Sequence, residues 1–359
     1  MQSAKPQITV FIPTYNRLSL LQRAVFSVFE CGAPVHLLVL DNCSSDGTGQ
    51  WLEEISAEAP IPVQITRHSE NIGAQANYCA GFELVSTPFL VPLADDDELV
   101  PGFLSKAIDL AFQYPDVVAV IGSRAHRKDD KWYPAWDSRR SIGLITPKVN
   151  LTEFLQYGHH TTWSAMLWRS KPIQSNDLFN RARKYGIPSD VYFQFSAFII
   201  GPVYAEPLPA ASFNYMPGQA SSKIGLTTES IRDLGLLADS IIDEVVKNKL
   251  ISSESEAKKL FSETARRWCN IIMNNRESSL AYGEKLELGP CLAQYFVSLY
   301  PYCGMEAFPF ISEIAAIASS SRVNYSPCPN VPEHRNVLRK VIKEIIRRCS
   351  FINLLYARN

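Results

Sequence analysis

Four adjacent acids, Asp95, Asp96, Asp97 and Glu98, directly follow an apolar run over 88–93 that predicts a buried strand. Their like charges repel one another, and each raises the pKa of its neighbours. A divalent cation relieves that repulsion, and Mg²⁺ or Mn²⁺ prefers carboxylate oxygens, with phosphate and water completing the shell. The acids therefore predict a metal at Asp95, Asp96 and Asp97 that neutralises charge on a departing diphosphate. A solvated acidic loop is the alternative interpretation.

Another acid, Asp190, stands at the head of an apolar run over 191–198 that is predicted to be helical. A carboxylate in this place could act as a general base and take a proton from an attacking hydroxyl. As a lone feature, it would more often be a negative charge that stabilises the N-terminus of a helix. Asp190 alone thus leaves a catalytic and a structural interpretation open.

Three more polar segments stand beside predicted strands or helices. The first offers backbone groups and a hydroxyl to a ligand, and the second begins with Asp41, which could accept a hydrogen bond from the N3–H of uracil or thymine. In the third, Gly73 lets the backbone approach a ligand closely. Ordinary turns and caps are the alternative interpretation, and Asp46 is expected only to cap. The segments are Pro13, Thr14, Tyr15, Asn16 and Arg17; Asp41 to Thr48; and Asn71, Gly73 and Asn77 with the residues between them.

Apolar strands that alternate with helices must position these segments. Such alternation predicts a mostly parallel, Rossmann-like α/β sheet with helices on both faces. Ligands in sheets of this kind bind at the carboxyl ends of the strands, which is where the polar segments fall. The predicted strands cover 8–12, 35–40, 63–67, 88–93 and 117–122, and the predicted helices cover 18–29, 48–55, 77–84 and 101–112.

The chain has 359 residues, which is long for one domain and comfortable for two. From about residue 227 the pattern becomes helical, over 231–250, 254–275 and 292–300. We therefore predict a catalytic domain over 1–225 and a smaller α-helical domain over 226–359.

Composition excludes some classes of protein. A formal net charge of −1 argues against a general nucleic-acid binder. The eight cysteines form no CxxC pair, and the histidines have no zinc spacing, which indicates a reducing compartment. A polar N-terminus without a signal peptide, and the lack of an apolar run near the roughly 20 residues of a membrane helix, predict a cytoplasmic protein.

The C-terminal stretch Arg335–Arg358 combines basic and apolar residues at helical spacing. A helix of this kind could lie on an anionic membrane surface or pack on its own domain. The helical region could also bind the lipid carrier of an acceptor or a second copy of the chain. In the aromatic middle region, Trp163 is a candidate acceptor contact because tryptophan rings stack on sugars, and His160 is a weaker one. Core packing is the alternative for Trp163.

Taken in order, these segments resemble family-2 inverting glycosyltransferases with the GT-A fold, over roughly residues 7–220. The resemblance implies that Pro13, Thr14 and Tyr15 line a nucleotide pocket and that Asp41 binds the base. It also implies roles for the acids: Asp95 near the ribose, Asp96 as principal metal ligand with Asp97 beside it, and Asp190 as catalytic base. The other expected nucleotide-binding residues are Asn16, Arg17, Asn71, Gly73 and Asn77.

Three positions depart from the family pattern. Ala94 stands where the acidic motif usually begins with Asp, and Ser189 replaces the Glu of a Glu-Asp pair. Met216 stands where a His often helps the metal or diphosphate. The departures indicate weaker metal binding, or a shell completed by water and phosphate.

The function implied is inverting transfer of a sugar from a nucleoside-diphosphate sugar, with UDP or dTDP favoured. The acceptor would be a hydroxyl of a saccharide or lipid-linked saccharide in polysaccharide biosynthesis, such as that of O-antigen or capsule. Two alternatives stay open. One is a non-catalytic scaffold with this fold, and the other is a sugar nucleotidyltransferase, although that chemistry expects a Gly-rich basic loop that Pro13–Arg17 lacks.

Overall fold

The computed structural model describes residues 6–129, 131–186, 188–212 and 228–264. It divides the chain into two compact units, one of residues 1–154 and 158–216 and the other of residues 155–157 and 217–359. The domain boundary predicted near residue 225, Met216 and the basic stretch Arg335–Arg358 all lie outside the described residues.

The first part of the chain alternates strands and helices as the sequence predicts. The elements are β1 (Ile8–Thr14), α1 (Leu18–Phe29), β2 (Val35–Asp41), α2 (Thr48–Glu58), β3 (Val63–Arg67), α3 (Ala74–Leu84), β4 (Phe89–Pro92), α4 (Phe103–Gln113) and β5 (Ala119–Lys128).

Shorter elements follow, and two of them carry residues of the site. These elements are β6 (Lys131–Pro134), β7 (Gly143–Ile145), α5 (Pro147–Tyr157), β8 (Met166–Arg169), α6 (Ser170–Ser175), α7 (Leu178–Ala182), α8 (Ser189–Ile200) and β9 (Val203–Ser212), with single 3₁₀ turns at Trp163–Ala165 and Arg183–Tyr185. The described part of the second unit contains α9 (Thr228–Lys247) and helical residues 254–264.

The strands form one mixed sheet, in the order β3-β2-β1-β4-β8-β5-β9-β7, with β6 paired to β5. β1 to β4 are parallel, whereas β8 runs antiparallel to both β4 and β5. Helices cover both sides, which confirms the predicted fold class. No helix within the described ranges is long and apolar enough to cross a membrane.

The core explains why the polar segments meet at one edge. All seven residues of β1 are buried, and α1 packs on the sheet through the apolar face that carries Leu21, Ala24, Val25 and Val28. Thr14 pairs in register with Asp41, and Phe11 pairs with Pro92. The loops after β1, β2 and β4 therefore leave the sheet side by side, because the strands are parallel and their carboxyl ends are aligned.

Candidate active site

Asp46 joins the loop after β1 to the loop after β2. Its Oδ2 accepts a hydrogen bond from the backbone N–H of Leu18 at 2.9 Å, and its Oδ1 accepts from Thr48 Oγ1 at 2.6 Å. Burial alone would raise the pKa of Asp46, but these hydrogen bonds lower it below its usual value. The expected capping role of Asp46 is confirmed, and it extends to the first turns of two helices.

Asp46→Ala is expected to lower the free energy of unfolding by about 1 kcal/mol at neutral pH, as losses of capping side chains do. Because the folded state depresses the pKa of Asp46, this contribution exists above the unfolded pKa of 3.8 and disappears as the pH falls through the folded value. Urea unfolding at several pH values would measure it, with the exposed Ser45→Ala as control. A loss that is the same in acid and at neutral pH would contradict this account.

Asn16 also fixes this edge, while Tyr15 beside it is open. The N–H of Asn16 donates to Ser44 Oγ at 2.9 Å, and its Oδ1 accepts from the N–H of Ser45 at 2.8 Å. Tyr15 is 43% exposed, whereas Pro13 and Thr14 are buried at the end of β1. Of these residues, Tyr15 has the ring that a ligand could reach.

Asp41 is completely buried at the end of β2, and only one of its oxygens is hydrogen-bonded. Oδ1 accepts from the N–H of Ser44 at 2.9 Å. Oδ2 has no hydrogen-bond partner, although Nε of the half-exposed Arg67 lies 3.4 Å away. A buried carboxylate oxygen of this kind is costly unless a donor reaches it. Asp41 can thus hold its own loop and still accept a hydrogen bond from a ligand.

The loop before α3 is built on side-chain amides. Asn42 Nδ2 donates to Asn71 Oδ1 at 2.8 Å, and the same oxygen accepts from the N–H of Gly73 at 2.9 Å. Gly73 has a φ of +84°, a conformation that favours glycine. These contacts give the predicted loop its shape and leave the start of α3 beside the end of β2.

Asn77 is buried, and both ends of its side-chain amide contact other residues of the protein. Its Nδ2 donates to the carbonyl oxygen of Leu40 at 3.0 Å, and its Oδ1 lies 3.0 Å from His68 Nε2. Both ends of the amide are therefore used to attach α3 to β2. Its predicted contact with a nucleotide stays a prediction, because the structure gives Asn77 a positioning role.

Arg17 and Thr14 hold the first two acids of the turn after β4. Thr14 Oγ1 donates to Asp95 Oδ2 at 2.9 Å. Arg17 Nη1 donates to Asp95 Oδ1 at 2.9 Å and to Asp96 Oδ2 at 3.0 Å. Burial raises the pKa of Asp95 to about 6, although the charge of Arg17 acts against it. The positively charged guanidinium of Arg17, from the loop after β1, thus partly neutralises the acidic turn.

Asp97 points to a different partner, Ser164, in the 3₁₀ turn before β8. Ser164 Oγ donates to Asp97 Oδ2 at 2.8 Å and lies 3.4 Å from the N–H of Ala94. Both Ser164 and Asp97 are buried. Ser164 therefore fixes the shape of the acidic turn, a role that the sequence analysis missed because the two residues are far apart in the chain.

The acids are not arranged as a ready set of three metal ligands. Within the described ranges, no group of three or more His, Cys, Asp or Glu side chains is placed to hold a metal ion. Asp95 and Asp97 are buried against other partners, and Asp96 is the least buried of the three. This donor chemistry fits a cation held by Asp96 together with phosphate and water, as is usual for Mg²⁺. The predicted participation of Asp95 and Asp97 as further metal ligands stays a prediction.

Asp190 lies in the first turn of α8 and is partly buried. Burial raises the pKa of its carboxyl to about 6, although a hydrogen bond from the N–H of Val191, at 2.9 Å, acts in the opposite direction. The carboxylate is thus ionised at neutral pH and a stronger base than an exposed aspartate. Both properties suit a general base.

Gln75 connects α3 to the turn that carries Asp190. Its Nε2 donates to the carbonyl oxygen of Gly186 at 2.9 Å, and its Oε1 accepts from Ser189 Oγ at 3.1 Å. Ser189, which stands where the family pattern has Glu, therefore helps to position its neighbour Asp190. Gln75 lies within the third predicted segment, but the sequence assigns it no role of its own, since its partners are more than 100 positions away in the chain.

Tyr78, one turn further along α3, lies where the acidic turn and Asp190 meet. Burial raises the pKa of Tyr78 well above its ordinary value, and the charges of all four carboxylates add to the effect: Asp95, Asp96, Asp97 and Asp190. Its ring centroid lies 4.6 Å from that of Trp163. The structure thus brings the predicted metal acids and the predicted base into one site, around a phenol that the sequence analysis did not single out.

Neither predicted acceptor contact is open in this structure. Trp163 is 8% exposed and packs among Tyr78, Phe179 and Phe193. The side chain of His160 is buried, with Nε2 2.8 Å from Asn150 Oδ1, and this burial holds its pKa well below the ordinary value. Core packing, the alternative interpretation, therefore describes Trp163. The sequence left both interpretations open because aromatic composition alone does not distinguish a buried ring from an exposed one.

Residues 9–178 match the model of glycosyl transferase family 2. Polyprenol monophosphomannose synthase of Mycolicibacterium smegmatis is 34% identical over 118 residues, which cover 32% of this chain and 44% of that protein. Undecaprenyl-phosphate 4-deoxy-4-formamido-L-arabinose transferase of Pseudomonas aeruginosa is 29% identical over 136 residues, 37% of this chain and 39% of that protein. The chain therefore spans less than half the length of either relative.

The solved structure of S. aureus TarS 1–349 in complex with UDP-GlcNAc is similar in fold. The match has a TM-score of 0.62 and covers 87% of this chain and 83% of that one, at 13% identity. At so low an identity the likeness concerns the fold alone, and it agrees with the predicted GT-A architecture.

Proposed function

Residues 9–178 make this chain a member of glycosyl transferase family 2, and on that premise we propose that it transfers a sugar from a nucleoside-diphosphate sugar with inversion of configuration. The proposed acceptor is a hydroxyl of a saccharide or lipid-linked saccharide, and UDP or dTDP is the proposed nucleotide.

The observation that carries the proposal is the meeting of two acidic groups around Tyr78. Asp190 comes from α8, and Asp95, Asp96 and Asp97 come from the turn after β4. Both are linked to α3: Gln75 accepts from Ser189, the neighbour of Asp190, at 3.1 Å, and the Tyr78 ring lies 4.6 Å from that of Trp163, the neighbour of the Ser164 that donates to Asp97. A base on one side and a diphosphate-binding turn on the other is the arrangement that a single displacement needs. Inversion requires one base and no covalent nucleophile, unlike retaining glycosidases with two close carboxylates.

Each group has a proposed task. Asp190 takes the proton of the acceptor hydroxyl as that oxygen attacks the anomeric carbon, and the nucleoside diphosphate leaves on the opposite face. Thr14 and Asp95 hold the ribose side, and Arg17 offers positive charge near the diphosphate. Asp96 is the residue that would hold a divalent cation, and such a cation stabilises negative charge on a leaving diphosphate.

The proposal that the nucleotide carries uracil or thymine rests on Asp41. Its Oδ2 is buried without a hydrogen-bond partner at the edge of the sheet where the other segments meet. Uracil and thymine present an N3–H donor, which a carboxylate oxygen accepts strongly. This supports UDP or dTDP over adenine and cytosine nucleotides, whose rings lack such an N–H donor.

The acceptor class rests on the relatives. Two of them are named for polyprenol or undecaprenyl phosphates, and a third, from Campylobacter jejuni, is a GalNAc(5)-diNAcBac-PP-undecaprenol beta-1,3-glucosyltransferase. These names support a lipid-linked acceptor for this chain as well. Polysaccharide assembly at the inner face of the cell membrane is part of the same proposal.

A thermal-shift panel of UDP, dTDP and GDP, with and without Mn²⁺, tests the proposal. A ligand at a hundred times its Kd stabilises a protein by about 2.7 kcal/mol, so a specific nucleotide should raise the Tm clearly. UDP or dTDP is expected to do so, and more strongly with Mn²⁺. Stabilisation by GDP alone, or by no nucleotide, would contradict the proposal.

Asp41→Asn should remove the preference for UDP or dTDP. The amide oxygen can still accept from Ser44, but an N–H₂ group would then face the N3–H of the base, so two donors would oppose each other. Because hydrogen bonds to charged groups are strong, we expect affinity to fall by about tenfold to a hundredfold. Calorimetric titration of UDP would measure the fall, with Asp137→Asn, a partly exposed acid paired with Arg139, as the matched control. Unchanged UDP affinity in Asp41→Asn would exclude the proposed base contact.

A further inference from the structure

The ring of Tyr78 is fixed by aromatic neighbours. Its centroid lies 4.6 Å from that of Trp163, 6.0 Å from that of Phe179 and 6.3 Å from that of Phe11. The side chain is nevertheless only partly buried. Tyr78 is therefore a rigid ring whose position in the site does not depend on its hydroxyl.

The neighbours of Tyr78 place it between the two halves of the site. Trp163, under the ring, precedes Ser164, which donates to Asp97 at 2.8 Å. Gln75, one helical turn before Tyr78, accepts from Ser189 at 3.1 Å, and Ser189 precedes Asp190. These contacts put the ring near both the acidic turn and the proposed general base.

The hydroxyl of Tyr78 adds a type of group that the surrounding acids lack. No described residue accepts a hydrogen bond from it, and the four nearby carboxylates can only accept when they are ionised. Burial, and after it the negative charges of these acids, raise the pKa of Tyr78, so the phenol keeps its proton and stays a donor. A sugar ring carries hydroxyls that both donate and accept, so a pocket that holds a sugar needs both kinds of partner.

We propose that Tyr78 binds the transferred sugar, with its hydroxyl donating a hydrogen bond to a hydroxyl group or the ring oxygen of that sugar. In a single displacement, the transferred sugar lies between the departing diphosphate and the base, which is the space beside Tyr78. The inference rests on the proposed function and deepens it. It assigns recognition of the sugar to a residue of α3 rather than to the acids.

Tyr78→Phe tests the assignment, because it keeps the ring against Trp163 and removes only the hydroxyl. The probes are UDP and a set of its sugar esters, UDP-GlcNAc, UDP-glucose and UDP-galactose, measured by calorimetric titration. We expect affinity for UDP to be unchanged and affinity for the best-bound sugar ester to fall by about three- to tenfold, the effect of one neutral hydrogen bond. The matched control is Tyr185→Phe, which removes a buried phenol hydroxyl that also has no hydrogen-bond partner. This control should bind both probes like the wild type.

The possible outcomes separate the two proposals. A wild-type protein that binds neither UDP nor any ester would overturn the proposed function itself. If the wild type binds UDP but Tyr78→Phe keeps the full affinity for the esters, only the assignment of Tyr78 fails. It fails also if Tyr78→Phe weakens UDP and the esters by the same factor, or if the wild type binds no ester differently from UDP.

Discussion

Replacing Asp190 with Asn is expected to lower kcat by about 10²- to 10⁴-fold, the usual contribution of a general base, while the affinity for the nucleotide stays nearly unchanged. The reason is that the amide cannot take the proton of the acceptor hydroxyl. It can still accept the hydrogen bond from Val191, which is the one that the carboxylate accepts at 2.9 Å. Steady-state kinetics together with titration of the nucleoside diphosphate would separate the two effects.

The pH dependence gives a second readout of the same residue. Because the pKa of Asp190 is raised to about 6, the wild-type rate should fall as the pH drops through that value and the base becomes protonated. A raised pKa also means that the contribution of this carboxyl to stability is present below its unfolded pKa and lost as the pH rises through about 6. Asp190→Asn should therefore be at least as stable as the wild type at neutral pH, so its loss of activity would not reflect unfolding.

Asp109→Asn, which changes an exposed carboxylate on α4, is the control for Asp190→Asn. It should leave kcat and the acid limb of the rate profile unchanged. If Asp190→Asn keeps its transfer activity, then Asp190 is only a charge at the start of a helix, as the structural interpretation of the sequence has it. If the wild type binds nucleotides but has no activity to lose, the non-catalytic alternative gains support.

The edge of the sheet at which the site forms could be predicted from the sequence. Strands and helices alternate through β1, β2 and β4, and parallel strands end at a common edge, so Thr14, Asp41 and Asp95 were expected to lie close together. The structure confirms this arrangement, with Thr14 paired to Asp41 in register and hydrogen-bonded to Asp95. Local patterns were enough here because each residue lies at the end of its own strand or shortly after it.

The inner support of the site could not be predicted in this way. Ala165–Arg169 reads as a strand, but no local pattern shows that β8 enters the sheet antiparallel between β4 and β5. That placement brings Ser164 to Asp97. Gln75 and Ser189 likewise meet only through the packing of α3 near α8. Such contacts join residues far apart in the chain, and periodicity carries no information about them.

The burial of Trp163 is a second feature that the sequence could not predict. A tryptophan near histidines and threonines suggested a sugar contact, yet Trp163 packs among aromatic rings and supports Tyr78. Both uses need a large aromatic ring, so residue type did not distinguish them. Tyr78, the partly buried member of this pair of rings, is the one that a ligand can reach.

Asp96→Asn should give the other large loss, lowering kcat/KM on the order of a hundredfold, because a cation at a leaving phosphate contributes several kcal/mol. Asp96 is less buried than Asp95 and Asp97, and its Oδ2 already accepts from Arg17 at 3.0 Å. The substitution removes the negative charge proposed to hold the cation. Arg17 would keep its hydrogen bond to Asp95, at 2.9 Å, so the loop after β1 should stay in place.

The response to metal distinguishes this loss from a general disturbance of the acidic turn. Titration of Mn²⁺ into the wild type with UDP present should raise the affinity for UDP, whereas Asp96→Asn should need much more Mn²⁺ for the same effect. Glu98, two residues after Asp96, provides the matched control, since it pairs with Arg23 rather than Arg17. Glu98→Gln is expected to keep the Mn²⁺ response and most of the activity. Equal losses in both variants would mean that overall negative charge matters and that Asp96 has no special role. An unchanged Mn²⁺ response in Asp96→Asn would mean that Asp96 does not hold the cation.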